Sequence, residues 1–352
     1  ETDASMSVRT GRECFRALTT PEAVTLVSSA GKVRASVPAG SKATADMVQT
    51  DEAFWSVFSF RFLSGAGFTR ADCDAGLPRA VLSATIARQL FGTTDVVGHT
   101  VQLNYIDYTV AGVVADVSML ATAAYAQIWV PYTAADAESL SWQDDTMGPM
   151  HAVILAHSSA DFDAIRKETE LLRQKYNDGL RDVEIFYRGQ PDTQLAYLYR
   201  RWYAEPDVPG VMLRYGIVIA ILLLVPAVNL SGMTLSRMRR RMAEIGVRKA
   251  FGATGGELIR QVFFENFVLT LLAGVVGLAL SYAATFLLND FLFSNSTNAY
   301  LSGETALTPG MLLSPWAFIA AFAFCLLMNV LSAGIPAWRA SRMNITDAIN
   351  QR

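Results

Sequence analysis

Long uncharged apolar runs in the C-terminal part of the chain constrain its fold more than any other feature. A helix needs roughly 20 apolar residues to cross the ~30 Å hydrocarbon core of a bilayer. Three runs are long enough, and we expect membrane spans at about residues 213–235, 263–289 and 314–337. Each run alone is compatible with a buried core helix. Three in succession favour an integral membrane domain over residues 206–352.

Positive charge predicts how these spans are oriented. The link at residues 236–260 carries seven Lys and Arg residues, opposed by Glu244 and Glu257, whereas residues 289–314 contain no Lys or Arg. Cytoplasmic loops are enriched in Lys and Arg, so we expect this first link and the C-terminus in the cytoplasm and residues 1–205 outside. Because a translocated domain needs an upstream signal, we also expect one more apolar helix before Glu1, giving four spans in the intact protein.

Residues 1–205 alternate between strand and helix patterns, which predicts an α+β domain with two lobes. We expect strands at residues 23–27, 78–83, 100–103, 108–114 and 128–131, and helices at residues 51–58 and 84–91. A β-α-β unit is expected to follow at residues 151–156, 162–176 and 183–187. No nucleophile–base pair, phosphate loop or metal-ligand spacing stands out, so we expect neither a catalytic nor a metal site. Cys14 and Cys73 are expected to be free thiols, with a disulfide between them as the alternative.

The basic link at residues 236–260 has the pattern of a short helix, a turn and a second helix. One face of the first helix is apolar and consists of Met238, Met242 and Ile245. Gly252 is expected to end that helix, and Thr254 with Glu257 forms a T-x-x-E capping box that starts the helix leading into the second span. Three interpretations stay open for the link: a loop that only holds topology, an amphipathic helix on anionic lipid, or a helix docked in a protein groove.

Small residues recur every four positions in the second span, at Ala273, Gly277 and Ser281. They predict a helix face that a second helix can approach closely. Chance is the alternative, because Ala and Gly are common in membrane helices.

Several segments resemble one family. Residues 241–254, RMAEIGVRKAFGAT, resemble the hallmark of MacB/FtsX-like permeases, and IPAWRASR (335–342) followed by DAI (347–349) is similar to the end of the same domain. In the outside domain, VLSATIARQLFG (81–92), VGHTVQL (97–103) and YTVAGVVAD (108–116) are similar to the family's periplasmic core domain. Together these segments cover most of the chain in the expected order.

The resemblance implies a MacB/FtsX-type ABC transporter permease of the bacterial inner (cytoplasmic) membrane, with residues 1–205 as the periplasmic core domain. It implies a homodimer or a heterodimer with a related permease, together with a cytoplasmic ATPase that binds ATP and Mg. No cofactor is expected on this chain, and because it contains no G-x-x-x-x-G-K-[ST] loop, hydrolysis is expected on a separate subunit or domain. The chain itself is not expected to be an enzyme.

The resemblance also assigns the basic link as the coupling helix that docks on the ATPase. Its implied contact residues are Met242, Glu244, Ile245, Gly246, Arg248, Lys249, Ala250, Gly252 and Ala253. The expected function is to couple ATP hydrolysis to a periplasmic conformational change that drives export. The alternatives are an FtsX-like regulator of a periplasmic or cell-wall enzyme, or a peptide sensor. A periplasmic adaptor and an outer-membrane channel are further expected partners, and nucleic acid is not.

Overall fold

The computed structural model describes residues 5–38, 40–119, 121–135, 140–200, 205–225, 247, 251–252, 254–287, 316 and 318–328. The chain divides between Pro206 and Asp207 into two compact units. The first unit contains two sheets and the second contains the apolar helices. The predicted domain limits at residue 205 stay predictions, as does the assignment of the two parts to opposite environments.

Seven strands of the first unit form one sheet, which we call the barrel lobe. They are β2 (Gly31–Ser36), β3 (Lys42–Thr50), β4 (Phe62–Gly65), β5 (Arg79–Ser83), β6 (Thr100–Leu103), β7 (Ile106–Val114) and β8 (Ile128–Pro131). Their order is β4-β7-β5-β8-β3-β2-β6, and β6 also pairs with β7. The start of β7 pairs with β6 and its end with β4, while β5 occupies its other edge. The sheet therefore closes on itself, which leaves few unpaired strand edges.

The interior of this ring is the main apolar core. Strand residues such as Val33, Leu82 and Ile128 are fully or almost fully buried in it, because alternate side chains of each strand point inward. Helix α4 (Ala84–Phe91) adds Ile86 and other apolar residues to the same core. The α4 helix begins where the Ser83 hydroxyl accepts a hydrogen bond from the Ile86 N–H, and it ends at a glycine with a left-handed backbone, Gly92.

A second apolar cluster covers the other face of the sheet and is rich in aromatic rings. Short helix α2 (Phe54–Val57) contributes Phe54 and Trp55, whose rings pack against one another edge to face at 5.3 Å. Trp129 of β8 is fully buried in this cluster. Gly112 of β7 borders the irregular pairing with β5 and pairs with Gly65 of β4, and a Cβ on it would lie 2.6 Å from the Ala66 carbonyl oxygen.

The second sheet has two strands and belongs to what we call the small lobe. Strand β1 (Ala23–Ser28) pairs antiparallel with β9 (Met150–Leu155). Helix α1 (Val8–Gly11), a π-helical turn (Arg12–Arg16) and helix α5 (Phe162–Asn177) pack beside them. The smaller helices α3 and α6 span Arg70–Asp74 and Gln194–Tyr199. Two sheets within one α+β unit match the predicted fold class.

One predicted strand is wrong. Residues 183–187 form no strand, so the expected β-α-β unit keeps only β9 and α5. Instead, the amide side chain of Asn177 hydrogen-bonds both the N–H and the carbonyl of Ile185, each at 3.1 Å. The Arg173 guanidinium donates to the same carbonyl at 2.7 Å. Side chains of α5 thus satisfy the backbone groups that a neighbouring strand was expected to pair.

Three apolar helices are described in the second unit. Helix α7 (Val208–Val225) and the Phe263–Ala284 part of helix α8 (Gly255–Leu287) are long and apolar enough to cross a membrane. Helix α9 (Phe318–Met328) is apolar but shorter within the described residues. The first two agree with the predicted first and second spans, and the predicted number of spans stays a prediction.

Candidate functional site

The described end of the basic link has the geometry of a helix stop. The Phe251 N–H donates to the Val247 carbonyl at 3.2 Å, closing a helical turn. Gly252 then adopts φ +93°, a left-handed backbone that favours glycine and commonly ends helices. This backbone fits the predicted helix stop, and the preceding helix itself stays a prediction. The other implied coupling residues lie outside the described residues: Met242, Glu244, Ile245, Gly246, Arg248, Lys249, Ala250 and Ala253.

The predicted capping box is present at the start of α8. The Thr254 N–H donates to Glu257 Oε2 at 3.0 Å, and the Glu257 N–H donates to Thr254 Oγ1 at 3.4 Å. The hydrogen bond from the Thr254 N–H, followed by the interaction with the Thr254 side chain, lowers the pKa of the exposed Glu257 carboxyl, which also lies at the positive end of the helix. Since α8 is 33 residues long and contains the second span, its capped end and the membrane segment form one continuous helix.

Small residues line one side of helix α8 in its apolar part. Along this side, Thr270 is buried and a Cβ on Gly274 would lie 3.1 Å from the Phe322 ring of α9. The predicted packing residues Ala273, Gly277 and Ser281 lie on the same side of the helix, three, four or seven positions from Thr270 or Gly274, and they are exposed. The structure thus brings α8 and α9 together through Gly274, which the four-residue spacing missed. The use of the Ala273 face between subunits stays a prediction.

Helix α7 begins at a capped end next to the unit boundary. The Asp207 carboxylate accepts a hydrogen bond from the Gly210 N–H at 3.0 Å, and its carbonyl accepts from the Val211 N–H at 3.0 Å. Pro209 lies in the first turn of the helix, where backbone N–H groups have no intrahelical acceptor, so the absence of an N–H on proline breaks no hydrogen bond. The sequence D-V-P-G therefore sets the start of the first apolar helix.

An open cleft of about 610 Å³ lies in the first unit between α3, the π-helical turn and the chain after β8. Its charged lining residues are Arg12, Arg16, Glu52, Arg70 and Asp74. Arg16 donates to Glu52 at 2.8 Å, and the Arg12 guanidinium lies over the Tyr132 ring at 5.3 Å. Our sequence analysis missed this cleft, although the spacing of Arg9, Arg12 and Arg16 at i, i+3 and i+7 indicates one basic helix face.

The thiols of the first unit are structural. Cys14 and Cys73 are free and buried, as expected, and they lie in different apolar clusters. Burial raises the pKa of the Cys73 thiol to about 12, helped by the nearby Glu52 charge. A thiol that stays protonated at neutral pH is a poor nucleophile, so Cys73 has a packing role.

The chain combines an α+β domain with two helices that are long and apolar enough to cross a membrane, one of them capped at the end of a basic link. Comparison with known proteins identifies the family. Residues 2–172 match the MacB-like periplasmic core domain, and residues 216–345 match the FtsX-like permease C-terminal domain. The chain therefore belongs to the MacB/FtsX-like family of ABC transporter permeases. Members of this family are inner-membrane proteins with a periplasmic domain.

Curated relatives carry related names. The chain is 25% identical over 298 residues to the pyoverdine export ATP-binding/permease protein PvdT of Pseudomonas aeruginosa, covering 84% of this chain and 41% of that protein. It is 26% identical over 305 residues to the macrolide export ATP-binding/permease protein MacB of Chromobacterium violaceum, covering 87% and 43%. It is 25% identical to the Bacillus subtilis ABC transporter permease YknZ, covering 85% and 68%. The chain thus spans less than half the length of the first two relatives.

Two solved structures are similar to about half of the chain. The extracellular domain of YknZ from Gram-positive bacteria is 16% identical with a TM-score of 0.40, covering 51% of this chain and 88% of that one. The periplasmic region of MacB from Actinobacillus actinomycetemcomitans is 18% identical with a TM-score of 0.40, covering 49% and 76%.

Proposed function

We propose that this permease transmits the ATP-dependent movement of a partner ATPase through its basic link to the periplasmic core domain, and that this movement drives export. The observation that carries the proposal is the capped start of α8. Thr254 and Glu257 fix the first turn of a 33-residue helix that runs without a break into the second span. Because an α-helix is stiff along its axis, a displacement at its capped end reaches the apolar segment.

The proposed docking segment immediately precedes this capped end. In the sequence, Met242 and Ile245 share one helical face, and burying each in a groove of the ATPase would contribute roughly 1.5–3 kcal/mol. Glu244, Arg248 and Lys249 would pair with charges at the rim of that groove, which selects one docking register. The described Gly252, with its left-handed backbone, separates this segment from the capped helix.

The remaining components follow from the same proposal. ATP and Mg bind the ATPase rather than this chain, and the permease acts as a homodimer or as a heterodimer with a related permease. The core domain faces the periplasm, where an adaptor and an outer-membrane channel complete the export path. The exposed Ala273, Gly277 and Ser281 face of α8 is a surface on which a second permease helix fits.

Two substitutions test the docking segment. We expect Glu244→Lys and Gly246→Trp to reduce association with the ATPase at least tenfold, because each places a wrong charge or bulk in the groove at a cost above about 1.4 kcal/mol. Both keep or increase the positive charge of the link, so membrane insertion should be unchanged. The measurement is the amount of ATPase that co-purifies with the full-length permease, together with its ATP-dependent transport.

Matched controls exist in the second link of the chain. Glu304→Lys and Gly303→Trp make the same changes in residues 289–314, which we expect on the opposite side of the membrane. These variants should retain the ATPase. If Glu244→Lys and Gly246→Trp co-purify with the ATPase at wild-type levels and keep full activity, the link is not the coupling segment.

A further inference from the structure

The turn between β6 and β7 holds a bulky residue in a backbone conformation that it disfavours. Asn104 and Tyr105 connect the two strands, with φ +48° and φ +72°. A two-residue hairpin of this kind needs positive φ at both positions and strongly favours Asn followed by Gly. Asn104 fits its position, but Tyr105 stands where glycine is the unstrained choice, since its Cβ crowds the backbone.

Nothing in the described part of the chain uses the Tyr105 side chain. It is 81% exposed, and the next residue, Ile106, is 54% exposed. A strained backbone is normally offset by burial or by contacts of the side chain, and an exposed aromatic ring gains neither in this chain. The strain of the Tyr105 backbone is therefore not offset by contacts of its ring within the described part of the chain.

The hairpin tip is held rigidly by its neighbour β2. The Asn104 N–H donates to the Arg34 carbonyl at 3.0 Å, and the Arg34 N–H donates to Asn104 Oδ1 at 3.0 Å. Directly below, Leu103 pairs with Ala35 of β2 and also with Ile106 of β7. The Tyr105–Ile106 tip is therefore presented in a fixed position, and binding through it would order few additional groups.

Exposed cations lie on the strands β2 and β3 beside this tip. Arg34 lies beside Asn104 in the sheet register, and Lys32 lies on the same outer face of β2. Lys42 of β3 is diagonal to Arg34 on that face, because it pairs with Ser36. Asp107 is the exposed carboxylate next to the tip, so these four side chains sum to a positive charge of two. The surface thus combines an apolar projection with a mainly basic border.

We propose that the Tyr105–Ile106 tip is a docking knob of the core domain, and that its occupant is a partner protein with an apolar recess bordered by Asp and Glu side chains. The apolar residues enter the recess, and Arg34, Lys32 and Lys42 face the carboxylates around it. This proposal concerns the core domain alone and stands whether or not the basic link docks on an ATPase. A lipid surface and a second copy of this chain are the competing occupants.

Photo-crosslinking distinguishes these occupants. We replace Tyr105 with a benzophenone-bearing phenylalanine in the full-length protein in its native membrane, and as a control we place the same residue at Leu171 of α5, which is 66% exposed. We expect a protein adduct from position 105 only. Mass spectrometry then locates the attachment point, which should lie in an apolar recess with Asp or Glu at its border.

Charge reversal tests the basic border. Arg34→Glu should lower the yield of the adduct about tenfold or more, because it faces carboxylates of the partner with like charge. Reversing one of those carboxylates to Lys in the partner should restore the yield. Lys167→Glu, an equal change at an exposed position of α5, should have no effect. The proposal is overturned if Arg34→Glu leaves the yield of the adduct unchanged. It is also overturned if position 105 forms adducts only with lipid or with a second copy of this chain, or forms no adduct.

Tyr105→Gly separates docking from folding. Glycine relieves the left-handed strain, so we expect the unfolding temperature of the purified full chain to stay unchanged or rise by about 1–3 °C. Partner association, measured with a photo-crosslinker at Ile106 in this variant, should nevertheless fall at least tenfold. A drop of several degrees in unfolding temperature would instead show that Tyr105 serves the fold, and retained association would show that the tip is not the docking knob.

Discussion

The two lobes of the core domain are stabilised by different means. The barrel lobe closes its hydrogen-bonded ring of strands around an apolar interior. The small lobe has two strands, and a sheet of two strands buries too little apolar surface to be stable alone. Its strand β1 contacts the barrel lobe through apolar side chains such as Val27 and through polar contacts to Asp51, which directly follows β3 of the barrel lobe.

Those polar contacts are specific and mostly buried. Asp51 is 2% exposed and accepts hydrogen bonds from the Thr25 hydroxyl at 2.7 Å and the Leu26 N–H at 3.0 Å. Arg16 donates to the Val24 carbonyl and to Glu52. The barrel lobe should therefore be stable without the small lobe, whereas the small lobe should depend on the barrel lobe and on the charge state of its attachments.

The largest effect is expected from the barrel lobe. Trp129→Ala removes a fully buried ring and should lower the free energy of unfolding by about 3–5 kcal/mol. Because the small lobe depends on the barrel lobe, amide hydrogen exchange should accelerate in β1 and β9 as well as in β5 and β7. The control is Trp142→Ala, which removes a ring that is 47% exposed and should cost much less. Unchanged protection of β1 would contradict this dependence.

A smaller and local effect is expected at the attachment between the lobes. Asp51→Ala leaves the buried Thr25 hydroxyl and Leu26 N–H without their acceptor and should cost about 2–3 kcal/mol. Burial raises the pKa of the Asp51 carboxyl, and Arg16 with the Leu26 N–H offsets only part of that rise. Asp51→Asn keeps one acceptor oxygen and should therefore cost less than Asp51→Ala.

The location of the effect is the sharper test of this substitution. Hydrogen exchange in the Asp51→Ala variant should accelerate in β1 and β9, while β5 and β7 keep their protection. Equal loss of protection in both sheets would show that the two lobes unfold as one unit, which would contradict the separate opening of the small lobe.

The smallest effect is expected at Glu168 of α5 and depends on pH. Its carboxylate accepts hydrogen bonds from the N–H groups of Thr19 and Thr20, at 2.8 and 3.0 Å. Burial opposes the charge, but the hydrogen bonds from these threonines outweigh it and lower the pKa of Glu168 to about 2. Because this pKa is lower in the folded than in the unfolded chain, the ionised carboxylate stabilises the fold at every pH above the unfolded pKa, which is about 4.3. That contribution is lost as the pH falls through the folded pKa of about 2.

Glu168→Gln should therefore remove part of the acid sensitivity of the small lobe. We expect the variant to be less stable than the wild type at pH 7, and the difference to shrink between about pH 5 and pH 2. The measurement is the unfolding temperature of both proteins across this range. Asp163→Asn, which changes a side chain that is 88% exposed on the same helix, is the control and should leave the pH profile unaltered.

Local signals made much of the barrel lobe predictable. The strand at β5 and helix α4 follow from an apolar run that ends at Ser83, whose side chain caps the helix. The hairpin of β6 and β7 follows from two alternating runs around a short turn. In the basic link, Gly252 and the Thr254–Glu257 capping box have the predicted geometry, because a helix end is encoded within a few residues.

The parts of the fold that were predicted wrongly or missed depend on contacts between residues that are distant in the sequence. Strands β2 and β3 were missed because residues that are depleted in strands, such as Gly31, Lys42 and Asp46, interrupt them, and they become strands by pairing within the closed ring. The expected strand at residues 183–187 has alternating apolar residues, yet Asn177 and Arg173 satisfy the backbone of Ile185 instead. The packing of Gly274 on Phe322 depends on where α9 lies, which spacing within α8 alone does not specify.

The pairing of β1 with β9 has a consequence for the order of folding. Ala23 pairs with Leu155, so the first strand of the chain has no ladder partner until about 130 residues have followed it. All strands of the closed ring lie between these two positions in the sequence. Closing so long a loop costs more entropy than forming the hairpins inside it, and such pairings form late. During synthesis, β1 leaves the ribosome before the strands of the closed ring and is therefore among the last of these strands to reach its native partner.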